Sequence, residues 1–361
     1  MTRKMQFPLS GPEGSTWIMY TRMFTPLLLL LEQLRAVPYR SFRLLWYLIG
    51  FAAVWSGMLL LGLSLGIEKR FPFVLLGTLF LTLSSVLRDS LYWGQVSGWI
   101  LLALSIAVFR RYRGVLSGIA SSVVLLLKVG FMPFVFFLRG TRAWTALASI
   151  LFVLALSAML VYGPGIYSDW TGSMGLIGRT WNAGLSNNLS FSQAVSSASM
   201  LLAPPFDRQR AGEDHDYRLQ IAVERRETVR LASCSVNAVL LSSIIAGLVR
   251  LRRKRTPLTR DFLMSLSLMA SLAFLPFVWL HYGLSALVPV RYLAGQDRKY
   301  AACAMTVSMI CWGLPLDPSP GPWTAIPGIR ALIPLSWTAW MLTAGIPDRG
   351  HEAGSRAETA G

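Results

Sequence analysis

Charge is what this chain has least of. Asp, Glu, Lys and Arg make up 14% of its 361 residues, against about 25% in soluble domains. A soluble fold of this length would form about two domains and would need a charged surface that this sequence cannot supply. Acids are scarcer than bases, 17 against 34. Lysine is rare, and one of the few, Lys128, stands in the middle of an apolar run. The three cysteines, Cys234, Cys303 and Cys311, lie in apolar runs without metal-ligand spacing. They read as buried free thiols. No Walker motif, glycine-rich nucleotide loop or nucleophile elbow is present, which argues against a soluble nucleotide-sugar site. Neither a metal nor a cofactor is implied.

What is present is hydrocarbon: 54% of the residues are hydrophobic and the mean hydropathy is +0.51. Residues 44–66, 71–87, 91–109, 143–168, 231–249, 262–290, 300–316 and 331–346 contain no acid, lysine or arginine. Backbone groups in lipid must be satisfied within their own segment, so such runs read as helices, and about 20 residues cross a ~30 Å core. The run 262–290 is too long for one crossing, and Pro276 with Gly283 allows it to break in two. Leu27–Leu31 stops at Glu32, so residues 24–36 read as a helix on the membrane surface. The fold class expected is an all-α integral membrane protein, a polytopic bundle of about 9–11 membrane helices that includes a broken hairpin.

The net charge of +17 would suggest nucleic acid in a soluble protein. Here the bases sit in clusters between apolar runs, as in cytoplasmic loops of polytopic proteins, and nucleic acid is not an expected partner. Residues 114–138 are flanked by Arg110, Arg111 and Arg113 on one side and Arg139 and Arg142 on the other. The positive-inside rule places both flanks in the cytoplasm. A straight helix cannot begin and end on one face, so a break is expected near Lys128-Val129-Gly130 and Pro133. The cluster from Arg250 to Arg260 anchors a second cytoplasmic loop, while Arg291, Arg298 and Lys299 return the chain to that side. His281 then falls at the outer boundary, and residues 163–230 form an outer loop. Within it, 213–230 have helical charge pairing such as Asp214–Arg218 and continue into the span at Leu231. Residues 1–23 are a polar N-terminal segment without the apolar core of a signal peptide. Residues 24–346 form the membrane domain, and 347–361 a disordered tail.

Lys128 is the sharpest polar outlier. An ionisable group at that depth is a functional candidate by default, with an anionic phosphate as its natural partner; the alternative is snorkelling to an interface. His281 can bind phosphate or relay a proton, although Trp279, His281 and Tyr282 also fit an interfacial aromatic belt. His215, in a charged stretch, reads as a solvated residue. Gly94 permits close packing at the start of an uncharged helix, and Gln95 beside it offers donors and an acceptor. Asn187-Asn188-Leu189-Ser190 matches the glycosylation triplet and reads equally as an amide cluster for sugar or phosphate.

The order of these features is more specific than any one of them. Tyr20-Thr21-Arg22-Met23-Phe24-Thr25-Pro26-Leu27 comes first, then Arg43-Leu44-Leu45-Trp46, Gly94-Gln95-Val96, Arg110-Arg111-Tyr112-Arg113, Gly114 and Gly118, and Leu127-Lys128. Arg139–Trp144, Tyr162-Gly163-Pro164-Gly165, the Asn187–Ser190 cluster and Trp279-Leu280-His281-Tyr282 follow. This order resembles glycosyltransferase family 87, the polyprenol-phosphate-mannose-dependent mannosyltransferases of bacterial envelopes. The resemblance implies a GT-C fold in the bacterial plasma membrane with its active face outward. It also implies a polyprenyl-phosphate sugar donor, a glycolipid or glycan acceptor and contact with membrane lipid. By resemblance Gln95, Lys128, Asn188 and His281 would line the cleft, and their neighbours Asn187 and Tyr282 are expected to bind substrate with them.

The family pattern places a span before the Pro-Leu stretch, followed by an outer loop with a catalytic aspartate. In this sequence no Asp precedes Asp89, and the earlier acids are Glu13, Glu32 and Glu68. The span and acidic loop are therefore expected to be missing. Asp89, beside Gly94-Gln95, is the expected base, with Asp169 next. Two other classes fit part of the pattern. A transporter or flippase would also use a broken helix and an intramembrane lysine, and a non-catalytic relative would bind lipid-linked sugar without turnover.

Overall fold

The computed structural model describes residues 38–92, 95–165, 167–168, 226–253, 258–274, 280–313, Trp337 and Trp340. The sequence expectations for the N-terminal segment, the surface helix at 24–36, Gly94, Asp169, Asn187, Asn188, His215, Pro276, Trp279 and the C-terminal tail lie outside these residues. So does most of the span expected at 331–346.

Among the described residues the protein is all α-helical. Helices α1 (Tyr39–Leu63), α2 (Ile67–Leu83), α3 (Ser85–Tyr92), α4 (Ser97–Phe109) and α5 (Gly114–Leu127) come first. A 3₁₀ segment, Val129–Phe137, leads to α6 (Thr141–Tyr162), and α7 (Arg226–Arg253) and α8 (Arg260–Phe274) follow. A second 3₁₀ segment, Leu280–Ala286, runs into α9 (Leu287–Gln296) and α10 (Arg298–Gly313). Arg40–Leu63, Thr141–Val161 and Leu231–Arg253 are long and apolar enough to cross a membrane. The surface of the bundle is inverted relative to a soluble protein: Leu44, Phe71, Phe136, Leu160, Val239 and Ile310 all face outward. Apolar exposure on that scale is stable only in lipid, so this is an integral membrane protein.

The core forms where α1 crosses α4, α4 meets α5, and α2 packs on α10. Small residues set the crossings. A Cβ on Gly98 would lie 2.8 Å from the Gly50 carbonyl oxygen, and one on Gly57 would lie 3.1 Å from the backbone of Leu102. At the α5–α6 crossing a Cβ on Gly118 would run into the carbonyl of Ala143 and sit 2.8 Å from the Ala146 Cβ. Four residues on, the Ser122 hydroxyl donates to the Gly118 carbonyl at 2.9 Å. Lipid supplies no hydrophobic drive between helices, so van der Waals contact of this closeness holds them together.

The runs at 71–87 and 91–109 read in the sequence as two spans separated by Arg88-Asp89. The structure instead stops α2 at Leu83, with Ser84 extended (ψ 151°), and places Arg88 and Asp89 inside the short helix α3. Two charges on a separate eight-residue helix stay out of a long apolar crossing. The run 262–290 is interrupted where Gly283 allows it: the 3₁₀ segment Leu280–Ala286 stands between α8 and α9. Arg291, expected to return the chain to the basic side, is not at a helix boundary. It lies within α9, because a partner is there to receive it.

That partner is Asp261 at the start of α8, which forms an ion pair with Arg291. Arg291 also donates through Nε to the Ser64 hydroxyl at 2.7 Å and through a terminal nitrogen to the Ser64 carbonyl at 3.1 Å. Tyr112 donates to the other Asp261 oxygen at 3.1 Å, and Lys69 donates to the Gly295 carbonyl. Five chain segments therefore meet at one end of the bundle, together with the arginine clusters flanking α5 and α6. This is the basic end. Helix α7 runs without interruption from Arg226 through the span, which agrees with the expected continuation into Leu231.

Candidate functional site

The hairpin expected at Lys128 exists. Helix α5 stops at Leu127, and Lys128 is extended (φ −155°, ψ 94°) before the 3₁₀ segment begins. Fourteen residues of α-helix rise about 21 Å; nine residues of 3₁₀ rise about 18 Å. The tighter winding lets a shorter return arm cover nearly the same distance, so both arms reach the same base. There Arg113 and Arg139 form a parallel bridge, and the Arg139 amide donates to the Tyr112 carbonyl at 2.7 Å. Arg260 donates to the carbonyl of Phe137 at 2.8 Å, which holds the end of the 3₁₀ arm. Lys128 is thus fixed at the tip of a hairpin, well inside the bundle.

At that tip the ammonium of Lys128 lies over the ring of Tyr282, 4.3 Å from its centroid. The ring of His281 is 4.6 Å from that of Tyr282, and Phe131 meets Tyr282 edge-on at 6.3 Å. His281 is 2% exposed and Tyr282 8%. The aromatic-belt alternative for His281 does not fit, since belt residues face lipid and these two are enclosed by the bundle. The segment carrying them packs on α3, α4 and α9, and a Cβ on Gly283 would sit 3.2 Å from Val86 of α3.

Snorkelling does not describe Lys128, because its ammonium ends on a buried ring. A lysine at mid-membrane costs about 2.5–3.5 kcal/mol. A desolvated cation–π contact returns about 2 kcal/mol. The contact therefore offsets part of that cost, and an anion beside the ammonium would offset more.

Of the other candidates, Gln95 lies two residues before α4, half-buried, with its backbone N–H donating to the Ser90 carbonyl at 2.8 Å. Asp89 lies in α3, the helix that packs against the His281 segment. The structure therefore groups Lys128, His281 and Tyr282 directly and places the backbones of Asp89 and Gln95 on neighbouring elements. Three residues escaped the sequence reading. Phe131 completes the aromatic wall, while Ser285 and Ser97 hold buried hydroxyls without a hydrogen-bond partner. Ser285 is one 3₁₀ turn from Tyr282, and Ser97 opens α4. A serine in an apolar run carries no sequence signal that separates it from helix packing.

The profile of glycosyltransferase family 87 matches residues 17–276. The chain belongs to glycosyltransferase family 87. The match takes in α1 through α8 with the whole hairpin, so the Lys128 tip is family 87 framework, and the His281 segment follows directly after it. No curated protein and no solved structure matches the chain. Family 87 membership makes the protein a glycosyltransferase, an enzyme acting on a sugar donor and an acceptor. Among the described residues no group of His, Cys, Asp or Glu is arranged to hold a metal ion.

Proposed function

We propose that this enzyme transfers a hexose, specifically mannose, from a polyprenyl-phosphate donor to a glycolipid or glycan acceptor. The bundle would be a GT-C fold in the bacterial plasma membrane, working at its outer face. The observation that carries the reading is the Lys128 ammonium held over Tyr282 beside the buried His281. A lipid-linked donor keeps its phosphate at the membrane, and a fixed cation in a water-poor site is worth most where negative charge develops.

In this reading the acceptor hydroxyl oxygen attacks the anomeric carbon while the bond from that carbon to the phosphate oxygen breaks. The electron pair leaves with the polyprenyl phosphate, whose charge Lys128 and His281 neutralise. The hydroxyl proton passes to a carboxylate, for which Asp89 is the proposed base. Gln95, Asn187 and Asn188 are proposed to bind sugar hydroxyls or phosphate, with Tyr282 as the wall beneath the lysine.

A transfer assay in membranes with labelled polyprenyl-phosphate mannose tests these roles. Lys128→Ala and His281→Ala should each lower turnover by about 10²–10³, and Asp89→Asn by about 10²–10⁴. Wild-type rates in both the lysine and histidine variants would end the assignment.

A further inference from the structure

The end of the bundle away from the Asp261–Arg291 pair has a basic feature of its own. Helix α1 leaves the basic end at Ser64, so Arg43 lies about 30 Å away along its axis. Helix α2 starts beside Gly295 and ends at Leu83, so the α2–α3 corner lies at that same far end. Between the start of α1 and this corner is a groove of about 620 Å³. Arg43, Tyr47, Thr82, Ser84, Arg88 and Leu91 are among the residues that line it, and no described acidic residue does.

Three observations point to an anion. First, two arginines from different helices face one groove at the end where the charge rule thins out bases. Second, the Nε of Arg43 donates to the Tyr47 hydroxyl at 2.7 Å and its guanidinium lies 5.3 Å from that ring's centroid, which fixes the fork at the groove wall. Third, Ser84 is 4% exposed, yet its hydroxyl has no hydrogen-bond partner. It sits where α2 stops, with its amide already donating to Phe80 at 3.0 Å. The next hydroxyl, Ser85, is occupied by the Trp312 carbonyl at 2.5 Å. The lipid-facing residues alongside decide the rest of the ligand: Leu83 on the groove and Leu44 and Leu48 on α1 are all more than half exposed, so hydrocarbon runs directly from the polar floor.

We propose that this groove binds the phosphate head group of an anionic phospholipid, with Arg43 and Arg88 on the phosphate, Ser84 donating to one of its oxygens, and an acyl chain lying along α1. It is separate from the Lys128 tip and does not depend on the catalytic reading. Arginine forks match phosphate oxygens in pairs, which a lone lysine cannot do.

The full chain in nanodiscs of phosphatidylcholine doped with phosphatidylglycerol, released into a native mass spectrometer, tests this. Wild type should retain phosphatidylglycerol over phosphatidylcholine, and Arg43→Gln with Arg88→Gln should cut that preference about tenfold. The paired lysine variant should keep part of it, and Ser84→Ala should weaken it without any change of charge. Lys128→Ala should leave it unchanged, which separates this site from the proposed donor site. No anionic preference in wild type, or an unchanged preference in the paired glutamine variant, would overturn the proposal. Displacement of the lipid by inorganic phosphate would overturn its lipid half. A paired glutamine variant that fails to stay monodisperse passes the decision to Ser84→Ala, whose unchanged retention would count against the site.

Discussion

At the scale of single residues, the turn after α4 shows strain held in place by burial. Arg111 and Tyr112 both have positive φ, 49° and 61°, a region that non-glycine residues enter at about 1–2 kcal/mol each. The Tyr112 amide donates back to Ala107 at 2.8 Å and the Arg111 amide to Val108 at 2.9 Å. This is the hydrogen-bond pattern that ends helices at a left-handed residue, normally glycine. The exposed Arg111 gains little in exchange, whereas Tyr112 is 2% exposed and reaches Asp261. Arg111→Gly should therefore stabilise the purified protein by about 1 kcal/mol, read as a higher melting temperature in detergent. A lower melting temperature would show that the arginine side chain itself holds the turn. Neither positive φ was legible in the sequence, because Arg-Tyr carries no turn signal; the environment of the tyrosine imposes it.

At the scale of elements, the hairpin was legible and its geometry was not. Basic flanks at Arg113 and Arg139 with a proline between them imply a return to the same side, whatever the side-chain detail. The 3₁₀ winding of residues 129–137, which equalises the two arms, follows from packing against α5 and α8. Gly118 holds this element to α6. Gly118→Val should cost about 3 kcal/mol or more, because the nearest obstacle is the Ala143 backbone, which cannot turn aside. Ile119→Ala, on the exposed face of the same helix, should change stability little. Equal melting temperatures for the two variants would mean that α5 and α6 do not cross at Gly118.

At the scale of the whole molecule, the basic end acts as a clasp. The ends of α1 and α9, the start of α8 and the α4–α5 turn all meet on Arg291, Asp261, Ser64 and Tyr112. Burial raises the Tyr112 hydroxyl above its ordinary value near ~10, and the neighbouring Asp261 carboxylate raises it further. A folded value above the unfolded one means that the clasp is fully present below about pH 10 and is lost as pH climbs through the folded value. Tyr112→Phe, which lacks the hydrogen bond, should melt lower than wild type at neutral pH by an amount equivalent to about 1 kcal/mol. Above about pH 10 that gap should close, since phenylalanine has no proton to lose. Parallel melting curves across this range would show that Tyr112 titrates as freely in the folded protein as in the unfolded one.

By itself the sequence determined the solvent and the chain's route: too little charge for water, apolar runs of helical length, and arginine clusters that fix where the chain turns back. These follow from composition and local hydrogen bonding, which need no partner. The tertiary structure decided which polar residues meet. Lys128 and Tyr282 are 154 positions apart, and Asp261 finds Arg291 only because α8 and α9 pack side by side. A lysine, a histidine or a buried serine looks the same in an apolar run whether it faces lipid, a neighbouring helix or a ligand. Only the packing of distant helices distinguishes these environments, and it is packing that places an ammonium on an aromatic ring inside the membrane.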